Sequence, residues 1–160
     1  MVIFASGNAE FRLFQETSDE LMDQMLNLHV KAPWKITRQV LPTMIQQHFG
    51  NIIFITSIWG NVGASYEVVY SSVKGAQNSF VKALAKEVGP SGVSVNAISP
   101  GFIDTKMNRL LSEEEKAQVI SEIPVNRAGL PSEIAHAVSF LLDEKSRYIQ
   151  GEILNVNGGW

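Results

Sequence analysis

No cysteine occurs in the 160 residues, which removes disulfides, thiolate nucleophiles and cysteine-bound metals from consideration. Basic charge is also short. Thirteen Lys and Arg stand against 16 Asp and Glu, for a formal net charge of −3, leaving no surplus to neutralise phosphates along a nucleic acid. Neither DNA nor RNA is expected as a partner. Long apolar runs are absent as well. The longest, Ile52 to Trp59, is broken by Thr56 and Ser57, and no basic start leads into an apolar stretch, so neither a membrane span nor a signal peptide is expected. A soluble, cytoplasmic protein is the simplest reading. His48 and His136 have no ligand spacing, and Glu113 to Glu115 read better as a solvated helix start than as a metal site; no metal is expected.

What is present suits one compact domain with an ordinary core: 45% of the residues are hydrophobic and 18% charged. With no repeat, low-complexity segment or Pro/Gly/Ser linker to divide it, residues 1–160 are taken as a single domain.

Asn51 to Thr56 (NIIFIT) and Val93 to Ile98 (VSVNAI) are short β-rich runs bounded by Gly50, Gly60, Gly92 and Pro100, the pattern of buried, central parallel strands. Between them Val73, Gln77, Phe80, Val81, Leu84 and Val88 fall at helical spacing, predicting a helix over Tyr70 to Val88 closed by Gly89 and Pro90. A capping box at Thr17 to Glu20 opens an earlier helix that runs toward Gln47, with a kink or break expected where Pro33 and Pro42 remove amide donors. Ser112 to Glu115 opens a short helix, and Pro131 opens another with Ile134, Val138 and Leu141 on its inner face. Val2 to Ala5 and Gly151 to Val156 complete the strands. Strands alternating with helices predict a parallel α/β layer fold.

Tyr70 and Lys74 stand four apart at a helix start, so their side chains share a face and the ammonium can approach the phenol oxygen. A neighbouring cation favours phenolate, lowering the pKa toward what a general acid working near neutral pH requires. Three tyrosines and eight lysines in 160 residues give about 0.15 such pairs by chance, so the spacing alone is weak. Ser57 strengthens it: this hydroxyl leaves the strand NIIFIT at its carboxyl end, where open α/β sheets bind ligands. Taken singly, Ser57 suits a loop, Tyr70 a half-buried aromatic and Lys74 a solvated helix charge. Gly7, Gly101 and Gly158 equally suit turns that need positive φ.

ITSIWG (55–60), YSSVKGA (70–76), VNAISPGFIDT (95–105) and LNVNGGW (154–160) follow one another in an order, and with a Ser57 to Tyr70 separation, that resembles the short-chain dehydrogenase/reductases over essentially the whole chain. The resemblance implies the carboxyl-terminal part of a Rossmann-like doubly wound parallel sheet. It implies that Ser57 orients a substrate carbonyl, that Tyr70 donates the proton, and that Lys74 lowers the Tyr70 pKa and holds the nicotinamide ribose. It further implies that Pro100, Gly101, Ile103 and Thr105 contact the nicotinamide amide, and that Gly7, in FASG, occupies the family's Asn-Asn-Ala-Gly position. NADP is the implied cofactor, with NAD as the alternative. The substrate would be a small-molecule or protein-linked ketone. The branch resembled is that of the 3-oxoacyl-carrier-protein reductases, and within it SIWGNVGASYEVVYSSVKGAQNSFVKALAKEV is similar to the elongation factor P 5-aminopentanone reductases. Trp59, Val62 and Glu67 are placed on the substrate side.

Two departures from the family pattern stand out. Aligning VKAPW places His29 where a catalytic Asn usually stands, with Asn27 two residues away, and His29 is taken as the candidate substitute in the proton relay. No Gly-x-x-x-Gly-x-Gly loop follows a strand, so the first strands and the phosphate loop, roughly 80 residues at about 30 per βαβ unit, are expected to be missing; nothing present would cradle the pyrophosphate, and so truncated the 160 residues are expected to be inactive alone. Family members associate through the helices flanking Ser57, here Ser18 to Gln47 and Tyr70 to Val88, which implies a homodimer or homotetramer. The alternative to an enzyme is a non-catalytic fragment that packs those helices against a full-length relative.

Overall fold

The computed structural model describes the backbone of all 160 residues and every side chain except those of Arg109 and Leu110. Four strands, β1 (Val2–Phe4), β2 (Gly50–Ile55), β3 (Val93–Pro100) and β4 (Ile153–Val156), pair in parallel in the order β1-β2-β3-β4. Period-two alternation sends their side chains to opposite faces. From β2, Ile52 and Phe54 enter one core with Val93, Val95 and Ala97 of β3, while Ile53 enters a second core with Ile98. Helices cover both faces, which is why the two central strands read as apolar runs. Ile52, Ile53 and Phe54 are all but fully buried, each contributing roughly 1.5–3 kcal/mol of burial.

The first core is closed by α2 (Ala32–Gln46), through Val40, Leu41 and Met44, and by α4 (Val68–Val88), through Phe80, Val81, Leu84, Ala85 and Val88. The second is closed by α6 (Pro131–Leu142), through Ile134, Ala137, Val138 and Leu141. Ahead of α2 lies α1 (Asp19–Leu26); α3 (Trp59–Val62) is one turn after β2, and α5 (Glu113–Glu122) follows β3. The expected α/β parallel architecture is therefore present. Ser112 and Glu115 form the expected capping box of α5. Ahead of α1 the cap is Ser18, whose hydroxyl accepts from the Leu21 amide at 3.3 Å, whereas Thr17 turns back to donate to the Leu13 carbonyl at 3.1 Å.

The long helix over residues 19–46 is interrupted where it matters for the site. Residues Asn27–Lys31 form a wider π turn, one turn ahead of the expected break at Pro33, while Pro42 stays inside α2. The cause is chemical. Pro33 has no N–H to give the His29 carbonyl four residues before it. That carbonyl instead accepts from Gln77 Nε2 on α4 at 2.7 Å, tying the loosened turn to the helix that carries Tyr70 and Lys74.

Candidate active site

The carboxyl ends of β1, β2 and β3 open on one side of the sheet, and the candidate residues collect there. Ser57 follows β2 directly. Its position is fixed because Thr56 N donates to the Ile98 carbonyl at 2.8 Å and Ile58 N to the Pro100 carbonyl at 3.0 Å, locking the strand exit onto β3. Its hydroxyl accepts from Trp59 N at 3.2 Å. Pro100 and Gly101 end β3 alongside, and Gly7 lies just beyond β1.

Tyr70 and Lys74 lie on the first two turns of α4, which is pressed against the turn after Ser57. Gly60 permits that approach: a Cβ on it would stand 2.8 Å from the Lys74 carbonyl carbon. A chain of amides holds the same junction, Asn78 donating to Asn61 at 2.9 Å and Asn61 to Ser99 and Asn155 at 3.0 Å each. Lys74 is 4% exposed. Its Nζ donates to the Ile55 carbonyl at 2.9 Å and lies 5.6 Å from the centre of the Tyr70 ring.

Burial decides the proton affinities. It pulls Lys74 down to about 8. Burial also pushes the Tyr70 phenol up to about 12, against a smaller opposing effect of the Ser57 side chain and with further upward pressure from Glu67. The expected lowering of Tyr70 by Lys74 is thus not observed. The ammonium is directed to the Ile55 carbonyl, and loss of water around the phenol is the dominant influence on it. The phenol stays protonated at neutral pH, which suits a donor.

His29 lies behind this group, with no exposure to solvent and its ring edge-on to Tyr70 at 5.8 Å between centres. Its Nε2 is 3.0 Å from the Asn8 carbonyl, which requires the proton on Nε2 and leaves Nδ1 as a buried acceptor without a partner. Burial first, and the Lys74 charge second, lower its pKa to about 4, so the imidazole is neutral. Gly7 packs on it so closely that a Cβ would stand 2.6 Å from Cε1.

A cavity of about 310 Å³ is lined by Gly7, Ser57, Tyr70, Lys74, Pro100, Gly101, Ile103 and Thr105. Every candidate site residue except His29 therefore faces one space. A second cavity of about 200 Å³ meets it at Ser57, Tyr70 and Gly101 and is lined by Trp59 and Glu67. Val62, placed with them from the sequence, is 74% exposed and outside both cavities. The buried amides Gln77 and Asn78 were not singled out for the site; two polar residues on the inner face of an apolar helix are the signal that marks them.

A family model described as Enoyl-(Acyl carrier protein) reductase matches residues 2–160. The chain is 48% identical over 159 residues to the uncharacterized oxidoreductase YmfI of Bacillus subtilis, covering 99% of this chain and 66% of that protein. It is 40% identical over 154 residues to the 3-oxoacyl-[acyl-carrier-protein] reductase FabG of Aquifex aeolicus, covering 96% and 62%. Among solved structures, one described as a 2-deoxy-D-gluconate 3-dehydrogenase from Agrobacterium tumefaciens with bound NADP superposes with a TM-score of 0.95 at 27% identity, over 99% of this chain and 66% of the other. A 4-hydroxyisoleucine dehydrogenase complexed with NADH gives 0.89 at 26%, over 99% and 68%. The chain thus spans about 62–66% of the length of these curated relatives.

Proposed function

The chain belongs to the short-chain dehydrogenase/reductase family, and from that premise we propose that its Ser57, Tyr70 and Lys74 reduce a ketone to an alcohol with a nicotinamide cofactor. The observation that carries this reading is the shared 310 Å³ cavity, which places a serine hydroxyl, a protonated phenol and a buried ammonium beside Gly7, Pro100, Gly101, Ile103 and Thr105. The donors fit the group. Lys74 has spent one of its three protons on Ile55, and its remaining protons with the Tyr70 and Thr105 hydroxyls suit ribose hydroxyls and a carboxamide. Pro100, Gly101 and Ile103 would wall the nicotinamide, with Gly7 leaving room opposite. NADP is the cofactor we assign, with NAD as the alternative; structural neighbours carrying NADP and NADH support both.

When bound, the cofactor supplies hydride to the carbonyl carbon. Ser57 holds the carbonyl oxygen, and Tyr70 gives it a proton as negative charge develops there. Lys74 keeps the phenol oriented and stabilises the phenolate left behind. His29, neutral and with Nδ1 unpaired, belongs to the path that returns a proton to Tyr70. We assign self-association to the outer groove between α2 and α4, where Trp34 and Phe80 stack at 5.7 Å. The test is a titration of the 160 residues, alone and joined to the phosphate-loop segment of a full-length relative, with NADPH and NADH, followed by hydride transfer to a panel of ketones. Saturable binding and ketone-dependent cofactor oxidation are expected of the joined protein and not of the 160 residues alone; absence of both from the joined protein would leave association through α2 and α4 as the surviving reading.

A further inference from the structure

Each reduction leaves Tyr70 as a phenolate, and the next one needs a proton there. His29, on the buried side of Tyr70, is enclosed and holds its own proton toward the Asn8 carbonyl at 3.0 Å, so the path it belongs to has no proton to spare. The other side of Tyr70 offers one. The 200 Å³ cavity that meets the site at Ser57 and Tyr70 is walled by Phe11, Trp59, Phe102 and Trp160, and apart from Tyr70 the only ionisable side chain to enter it among the described residues is Glu67. Glu67 lies three residues ahead of Tyr70, just before α4, and is 8% exposed. It does none of the structural work usual for an acid at a helix start: its side chain caps no amide of α4, and it has no salt-bridge partner among the described residues. The residue before it, Tyr66, is held at φ 66°, its carbonyl accepting from Arg12 N at 2.8 Å, a left-handed conformation that strains any residue with a Cβ. The turn thus holds an unpaired carboxyl inside against both strain and desolvation. Burial raises its pKa to about 7, with the Trp59 side chain acting in the opposite direction. The ionisable groups around it are Tyr70, with Lys74 a turn beyond, on α4, and Tyr66, Glu10 and Arg12, which line a neighbouring pocket with Tyr70; the segment after β3 and α5 bring only uncharged side chains to the cavity among the described residues.

We propose that Glu67 is the proton store of the site, its carboxyl returning a proton to Tyr70 across the shared cavity after each hydride transfer. The inference rests on the ketone-reductase reading and adds a residue to it. In reduction the Tyr70 O–H bond breaks as its proton passes to the substrate oxygen. The Glu67 carboxyl then gives its proton to the phenolate, and the carboxylate left behind takes one from solvent at the cavity mouth. Alcohol oxidation runs the same transfers backwards, and no electrons are gained or lost at Glu67. The direction is favourable, from a carboxyl titrating at about 7 to a phenol at about 12. Near neutral pH the same carboxyl is equally ready to be refilled from water, which is what a relay group needs.

The test has an arm without cofactor and an arm with turnover. In the 160-residue chain, tryptophan fluorescence followed against pH should show a midpoint near 7 from the carboxyl beside Trp59, absent from Glu67→Gln, whose amide keeps the shape of the protonated acid. In the protein joined to the phosphate-loop segment of a full-length relative, kcat for ketone reduction should be level at lower pH and fall as Glu67 loses its proton, by about 10- to 100-fold, the lower part of the range for a positioned acid. KM and nucleotide affinity should change little. Glu67→Gln should show the low kcat on both sides of the midpoint, and Glu67→Asp should recover part of the step. Acetate should restore Glu67→Ala in proportion to the acetic acid present, which a merely structural carboxyl would not allow. No midpoint in fluorescence, no step in kcat of the unchanged protein, or a step that survives Glu67→Gln overturns the proposal and leaves the reductase reading in place. Absence of turnover from the unchanged joined protein at every pH overturns both. The unchanged protein supplies the midpoint and the step whether or not the variants fold.

Discussion

Lys74 should cost the fold stability, and replacing it should raise stability in a way that depends on pH. Its ammonium is buried at 4% exposure with a single acceptor, the Ile55 carbonyl at 2.9 Å. Burial moves its pKa from the ordinary 10.5 to about 8; at about 1.4 kcal/mol per decade, keeping the charge inside at pH 7 costs on the order of 3 kcal/mol. Lys74→Met removes that cost, and the Ile55 carbonyl losing its donor returns about 1 kcal/mol. The net gain at pH 7 is about 2 kcal/mol, roughly 4–8 °C in Tm for a chain of this size. The sign reverses with pH. Between 8 and 10.5 the unfolded chain holds the Lys74 proton and the folded chain has released it, so the parent gains stability as pH rises and the variant does not. Its advantage should shrink by about 1.4 kcal/mol per pH unit from pH 8 upward. Urea unfolding of both proteins at pH 7, 8 and 9 measures the difference directly, with the other titrating groups common to the pair. A variant less stable at pH 7, or an advantage independent of pH, would refute the reasoning.

Gly60→Ala should destabilise by about 1–3 kcal/mol, because the new Cβ meets the Lys74 backbone at 2.8 Å; a denaturant midpoint equal to the parent's would contradict the close packing of α3 on α4. Gln77→Met leaves the His29 carbonyl buried without its 2.7 Å donor and should cost about 1–3 kcal/mol, read by the same unfolding titration. For His29 the pKa is depressed to about 4, so as pH falls from 6.5 toward 4 the unfolded chain takes a proton that the folded chain refuses, and stability is lost across that window. His29→Gln should flatten this part of the profile, compared at pH 7 and pH 4.5.

Much of this was legible in the sequence for reasons of pattern. The apolar runs of β2 and β3 are bounded by glycines and Pro100, and α4 shows its buried stripe at helical spacing, so their bounds fell within two residues of those observed. Ser57, Tyr70 and Lys74 line one cavity, a placement legible in advance because a strand end and an i, i+4 pair fix direction as well as position. The π turn was not, since Pro33 announces only that a donor is missing, and the replacement, Gln77, lies 48 residues away in sequence. Burial is likewise a tertiary property. That is why Tyr70 was expected to be lowered by its lysine and is instead raised to about 12, and why Glu67, next to a turn, did not stand out as a carboxyl enclosed by rings. The Ser18 cap was displaced by one residue because Thr17 and Ser18 offer the same hydroxyl and only backbone geometry chooses between them.

The most direct measurement of the central claim is the rate at which the 160 residues, joined to the phosphate-loop segment of a full-length relative, oxidise NADPH in the presence of ketone, set against the same protein with Tyr70→Phe. The substitution removes one oxygen and leaves the ring packed beside His29. The account predicts that the parent turns over and that kcat falls by about 10²–10⁴, the share of a positioned proton donor, with nucleotide affinity reduced far less. Turnover undiminished by the loss of the phenol would contradict it.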